Sequence, residues 1–132
     1  MDPILNELQQ ATEGLFFRSE SDYPFEIVDM GRAEHLDPTP GQLLTMLDRP
    51  QDTASEVVDL PYFLRNMTRV RPEHSEAMRQ EAERFQALEQ LLTAKLRHVK
   101  VIRLGSVKVE AFILGSTEKG RLVGLKTHLI ET

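Results

Sequence analysis

Apolar residues recur at helical spacing in two stretches of this chain and at strand-like spacing in five others. Near the start, Ile4, Leu5, Leu8, Ala11 and Leu15 step by one turn, with Asp2 placed to cap the helix, Pro3 at its first position and Gly14 at its end. A longer amphipathic helix is expected over 72–98, where Met78, Ala82, Phe85, Leu88, Leu92, Leu96 and Val99 step by three or four. Its other face carries charge pairs such as Arg79 with Glu83.

Residues 25–30 read as a short strand rich in aromatic and β-branched side chains, entered through Pro24. Pro, Asp and Gly breakers then dominate 31–61, leaving a helical island at 42–47 and a strand-like 56–60. Three further strands follow at 101–104, 107–114 and 122–130, separated by Gly105-Ser106 and by a hairpin loop at 116–120. Phe112, Ile113 and Leu114 are consecutive, so strict alternation is lost and both faces of that strand are expected to be covered. The architecture that follows is a three-layer α/β/α sandwich whose central, largely antiparallel sheet is built mainly from the C-terminal strands.

With 132 residues, 40% of them apolar, the chain suits one domain over 1–132 with a real core. It contains no cysteine, which removes disulfides and thiolate metal sites. No apolar run reaches membrane-spanning length, and Met1-Asp2-Pro3 followed by Glu7 lacks the basic start and apolar stretch of a secretory signal. A cytoplasmic protein without membrane attachment is the expectation.

Net charge is −5, unevenly spread. From 20 to 59 there are ten carboxylates against Arg32 and Arg49, a balance of −8; from 60 to 132 thirteen Lys or Arg face eight acids, a balance of +5. The basic residues are interleaved with acids and accompanied by few rings, which argues against direct nucleic-acid binding. The acidic half points instead to a basic partner met under electrostatic steering.

Chemistry of its own is weakly supported. His35, His74, His98 and His128 are scattered without metalloprotease-like spacing, and the glycines fall at strand ends or inside strands rather than in a phosphate-binding loop. Glu20 and Asp22 could serve a small metal-dependent hydrolase only with help from a group distant in sequence. A non-enzyme without cofactors is expected. Two features fit a contact surface better. The segment Ser19-Glu20-Ser21-Asp22 presents carboxylates among hydroxyls in a turn, and the final strand runs up to Glu131-Thr132, whose hydroxyl and carboxylates are hard oxygen donors able to reach a metal held by another protein.

Ala11-Thr12-Glu13-Gly14-Leu15-Phe16-Phe17, followed by Ser19-Glu20-Ser21-Asp22-Tyr23-Pro24-Phe25-Glu26, resembles the opening of the nuclease A inhibitor family. Arg103-Leu104-Gly105-Ser106-Val107, Ile113-Leu114-Gly115-Ser116-Thr117, Gly120-Arg121-Leu122-Val123-Gly124 and the closing Glu131-Thr132 resemble its later motifs in the same order, with 31–53 matching least. The resemblance implies an α/β/α sandwich that binds and blocks a sugar-nonspecific, Mg²⁺-dependent ββα-metal nuclease as a 1:1 complex. It also implies that Glu20 contacts the nuclease's active-site region and that Thr132 reaches the catalytic metal. The family pattern carries a tryptophan before its long helix, where this chain shows Arg71-Pro72-Glu73-His74 and has no tryptophan at all. With the nearby Arg65, Arg69 and Arg71, that departure points to a different cognate enzyme. Ser19, Glu20, Ser21, Asp22, Glu73, His74, Glu131 and Thr132 are therefore the expected partner-binding residues. The alternative is a diverged interaction module with a partner that is not a nuclease.

Overall fold

The computed structural model describes residues 3–131. In chain order its elements are α1 (Pro3–Thr12), β1 (Phe16–Arg18), β2 (Asp22–Pro24), β3 (Glu26–Arg32), α2 (Pro40–Met46), β4 (Ser55–Val58), α3 (Leu60–Phe63), α4 (Arg65–Thr68), α5 (Glu76–Lys95), β5 (Arg97–Leu104), β6 (Lys108–Ser116) and β7 (Arg121–Ile130). Five strands form one antiparallel sheet in the order β3-β7-β6-β5-β4, while β1 and β2 pair separately as a small hairpin.

Alternation along the sheet divides the core in two. Val101, Val109, Ala111, Ile113, Val123, Leu125 and Leu129 join Ile4, Leu5 and Leu8 of α1, Leu60 and Phe63 of α3, and Phe85, Leu88 and Leu92 of α5. Their opposite-parity neighbours Ile102, Leu104, Phe112, Leu114 and Leu122 join Leu43 and Leu44 of α2. Ile113 thus serves one cluster and its neighbours Phe112 and Leu114 the other, which accounts for the unbroken apolar run. Each fully buried Leu, Ile or Phe contributes roughly 2 kcal/mol relative to exposure.

Local chemistry sets the boundaries. The proposed Asp2 cap lies outside the described residues; α1 ends where Leu15 N–H donates to the Thr12 carbonyl and Gly14 takes a positive φ of 70°. α2 opens with a capping box, the Thr39 hydroxyl accepting from Gln42 N–H while the Gln42 side chain accepts from Thr39 N–H.

The long helix is shorter than the repeat implied. It begins at Glu76 because the Ser75 hydroxyl accepts from Met78 N–H, and the preceding residues form a turn closed by His74 N–H on the Arg71 carbonyl. It ends at Lys95, Leu96 being extended, and the chain enters β5 at once. Leu96 and Val99 still pack against the same core, but from a strand start distorted by a register shift between Arg97 and Lys100, with His98 at φ 55°. A Cβ on Gly115 would lie 2.8 Å from Leu96 Cβ, so the bare backbone there lets the helix-to-strand corner sit against β6.

Candidate functional site

The segment 16–24, apart from its acidic turn, was not anticipated as paired strand. It folds as a hairpin because Phe17 points inward while Phe16 and Arg18 face out. The Phe17 ring stacks on Phe63 at 4.6 Å between centroids and meets Phe25 edge-on at 6.4 Å, which seats β1 on the core. The buried Thr127 hydroxyl donates to the Pro24 carbonyl at 2.9 Å, tying β2 to β7. Arg18 reaches out to Glu81 of α5 at 2.7 Å.

These anchors bring the turn of the hairpin to the far end of the chain. Ser19 Oγ donates to the Ser21 carbonyl at 2.9 Å and accepts from Ile130 N–H at 3.2 Å. Next along, Glu131 N–H donates to the Val107 carbonyl at 2.8 Å, and the Glu131 carboxylate pairs with Arg103. Arg103 also lies 3.6 Å from Glu56 of β4. Residues 111 positions apart in sequence therefore form one surface.

A cleft of about 240 Å³ opens beside this contact, with Arg18, Ser19, Glu56, Tyr62, Arg103 and Glu131 among its lining. Arg18, Asn66 and Met67 also line a neighbouring cleft of about 100 Å³ that includes His74. Of the expected partner-binding residues, Ser19 and Glu131 share the first cleft and His74 lines the second. Glu20, Ser21 and Asp22 are exposed on the hairpin, and Glu73 is exposed in the loop before α5. Thr132 lies outside the described residues.

Sequence reasoning missed Tyr62, Arg103 and Glu56. Tyr62 is 53% exposed on α3 and carries the Arg65 guanidinium 3.7 Å above its ring, a flat aromatic and cationic surface at the rim of the first cleft. The sequence signal was Asp59 followed by Leu60-Pro61, a cap with proline in the first turn; in the fold the Asp59 carboxylate accepts from Tyr62 N–H at 2.8 Å.

The strongest charge cluster lies elsewhere. Glu110 on β6 accepts from both arms of Arg49, at 2.5 and 3.1 Å, and meets Lys126 at 3.0 Å. The Arg49 hydrogen bonds hold its carboxyl down at about 2, against partial burial, and Glu110 raises Arg49 in return. Asp29 is lowered first by Gly31 N–H and then by Arg121, and Asp37 by Lys100. Among the described residues no cluster of three or more His, Asp or Glu is arranged to hold a metal ion.

The described residues form a mixed α/β protein with a five-stranded antiparallel sheet and charged clefts beside the hairpin turn. The family model for nuclease A inhibitor-like proteins matches residues 2–132, and the chain belongs to that family. No curated protein matches the chain. Membership implies a nuclease inhibitor with a nuclease as partner, consistent with a chain that is not itself an enzyme. No described helix is long and apolar enough to cross a membrane.

Proposed function

We propose that residues 1–132 form one inhibitor domain, a three-layer α/β/α sandwich, that plugs the substrate cleft of a sugar-nonspecific, Mg²⁺-dependent ββα-metal nuclease as a 1:1 complex inside the cell. The observation that carries the interface is the Ser19 hydroxyl on Ile130 N–H, which joins the acidic turn to the end of the last strand. Glu20 pairs with a basic residue that would otherwise bind nucleic acid, and Thr132 supplies oxygen donors toward the nuclease's Mg²⁺. Ser19, Ser21, Asp22, Glu73, His74 and Glu131 form the surround. The division of the core between α2 on one side and α1, α3 and α5 on the other supports the three-layer arrangement.

The test compares inhibition of plasmid nicking by the wild type, by a form lacking Thr132 and by Glu20→Gln, at low and moderate salt. Loss of Thr132 is expected to cost the most, Glu20→Gln less, with inhibition weakening as salt screens the charges. Wild-type inhibition by both variants would mean that this is not the interface.

One observation favours a second reading, a binding module directed at a partner that is not a nuclease. The chain has no tryptophan before α5, and its exposed aromatic at the cleft is Tyr62. Capture of a nuclease by the protein favours inhibition; capture of an unrelated protein together with silence toward nucleases favours the module.

A further inference from the structure

We propose that Arg103 is a positioning residue for inhibition, a clamp that fixes the direction in which the end of the last strand is presented to the partner. The inference rests on the inhibitor reading above, because it assigns Arg103 no contact with the nuclease.

Three restraints converge on 130–131. Ile130 N–H is held by Ser19 Oγ, Glu131 N–H by the Val107 carbonyl, and the Glu131 carboxylate by the Arg103 guanidinium. The first two fix backbone; the third ties the Glu131 side chain back to the sheet, so that both the backbone and the side chain of the last described residue are held where the strand ends. Residues 129 and 131 share a strand face, so Glu131 falls on the side of the sheet that carries Arg103.

Arg103 suits that task better than a lysine would. Its side chain is 18% exposed, one arm meets Glu56 and the other Glu131, and its Nε is buried without a partner among the described residues. The planar fork is thus shared between two carboxylates, one on the edge strand β4 and one just past the end of the interior strand β7, in a geometry a flexible ammonium does not reproduce. Glu131 is 49% exposed, so without Arg103 its side chain would turn into water.

The experiment measures two things on the 132-residue protein: amide hydrogen exchange at Ile130 and Glu131 by NMR, and inhibition of plasmid nicking. Arg103→Gln is expected to speed exchange at Glu131 and to weaken inhibition by about 5- to 10-fold. Glu131→Gln, which removes the same pair from its exposed end with little risk to folding, should speed exchange at Glu131 to the same extent and weaken inhibition at least as much, since Glu131 also belongs to the partner surround, and Arg103→Lys should recover part of the loss. In a background lacking Thr132, Arg103→Gln should cost nothing further, because Arg103 acts only through that residue.

Wild-type exchange at Glu131 in both Gln variants would overturn the clamp. So would an undiminished loss in the Thr132-deleted background, which would make Arg103 a direct contact. If the wild type inhibits no such nuclease, the functional reading falls, while the exchange measurement still decides whether Arg103 orders the strand end.

Discussion

Substituting Glu110 by Gln tests how charge contributes to this fold. Glu110 has a folded-state value of about 2 against an ordinary 4.5, chiefly because of its hydrogen bonds to Arg49, with Lys126 contributing. A depressed carboxyl contributes stability that is complete above its unfolded value and is lost as pH falls toward its folded one. Its window here runs from about pH 4.5 down to about 2. The full shift corresponds to roughly 3 kcal/mol as a ceiling. Arg49 is 38% exposed and Lys126 26%, so solvent screening brings the contribution down to about 1–2 kcal/mol. Urea unfolding of wild type and Glu110→Gln across pH 7 to 2.5 measures it. The wild type should be the more stable by about 1–2 kcal/mol at neutral pH, and the gap should close progressively below pH 4.5. Asp29 and Asp37 also titrate low, but they do so in both proteins and drop out of the difference. A gap that stays constant down to pH 2.5 would refute the reasoning, because the loss would then come from packing rather than from ionisation.

Gly124→Ala is expected to lose about 3 kcal/mol, since the added Cβ would lie 1.8 Å from the Ile113 carbonyl oxygen in the β6–β7 pair; an unfolding free energy from urea titration that falls by less than a quarter of that would show that the strands can spread. Thr127→Val removes the hydroxyl bond to the Pro24 carbonyl and should cost about 1 kcal/mol, with faster amide exchange confined to β1 and β2. Tyr62→Ala should leave thermal stability within about 0.5 kcal/mol while weakening nuclease inhibition by about 10-fold, read in the same titration as the wild type.

The legible parts of the fold were those where one period persists. α1 and the C-terminal strands followed their hydrophobic spacing, and Gly115 and Gly124, placed at a strand end or inside a strand, sit where an added Cβ would meet a neighbouring element. The end of α5 was misjudged because Leu96 and Val99 keep a helical interval while packing from a strand with a bulge; a three-residue step does not distinguish the two when both point into one core. The hairpin 16–24 escaped because three-residue strands carry too few alternations to declare a period, and it is held by tertiary contacts of Phe17 and Thr127. The short α3 and α4 escaped for the same reason.

Charge was legible in amount but not in placement. The strongly acidic 20–59 and the basic remainder come together in space, where Asp29 meets Arg121, Asp37 meets Lys100 and Glu56 meets Arg103. Part of the separation along the chain is thereby neutralised within the fold, and long-range steering is correspondingly weaker than linear counting implies. Ser19 and Glu131 were singled out separately as contact residues; that they line one cleft, with Ser19 bonded to Ile130, depends on β7 reaching the hairpin turn, which no local pattern encodes.

The most direct measurement is a titration of this protein into a fixed amount of sugar-nonspecific ββα-metal nuclease, following Mg²⁺-dependent nicking of plasmid DNA. A linear fall in activity that reaches its floor at one equivalent is the expected result for a plugging inhibitor. Undiminished nicking with the protein in large excess, across nucleases of this class including one from the same source, would contradict it.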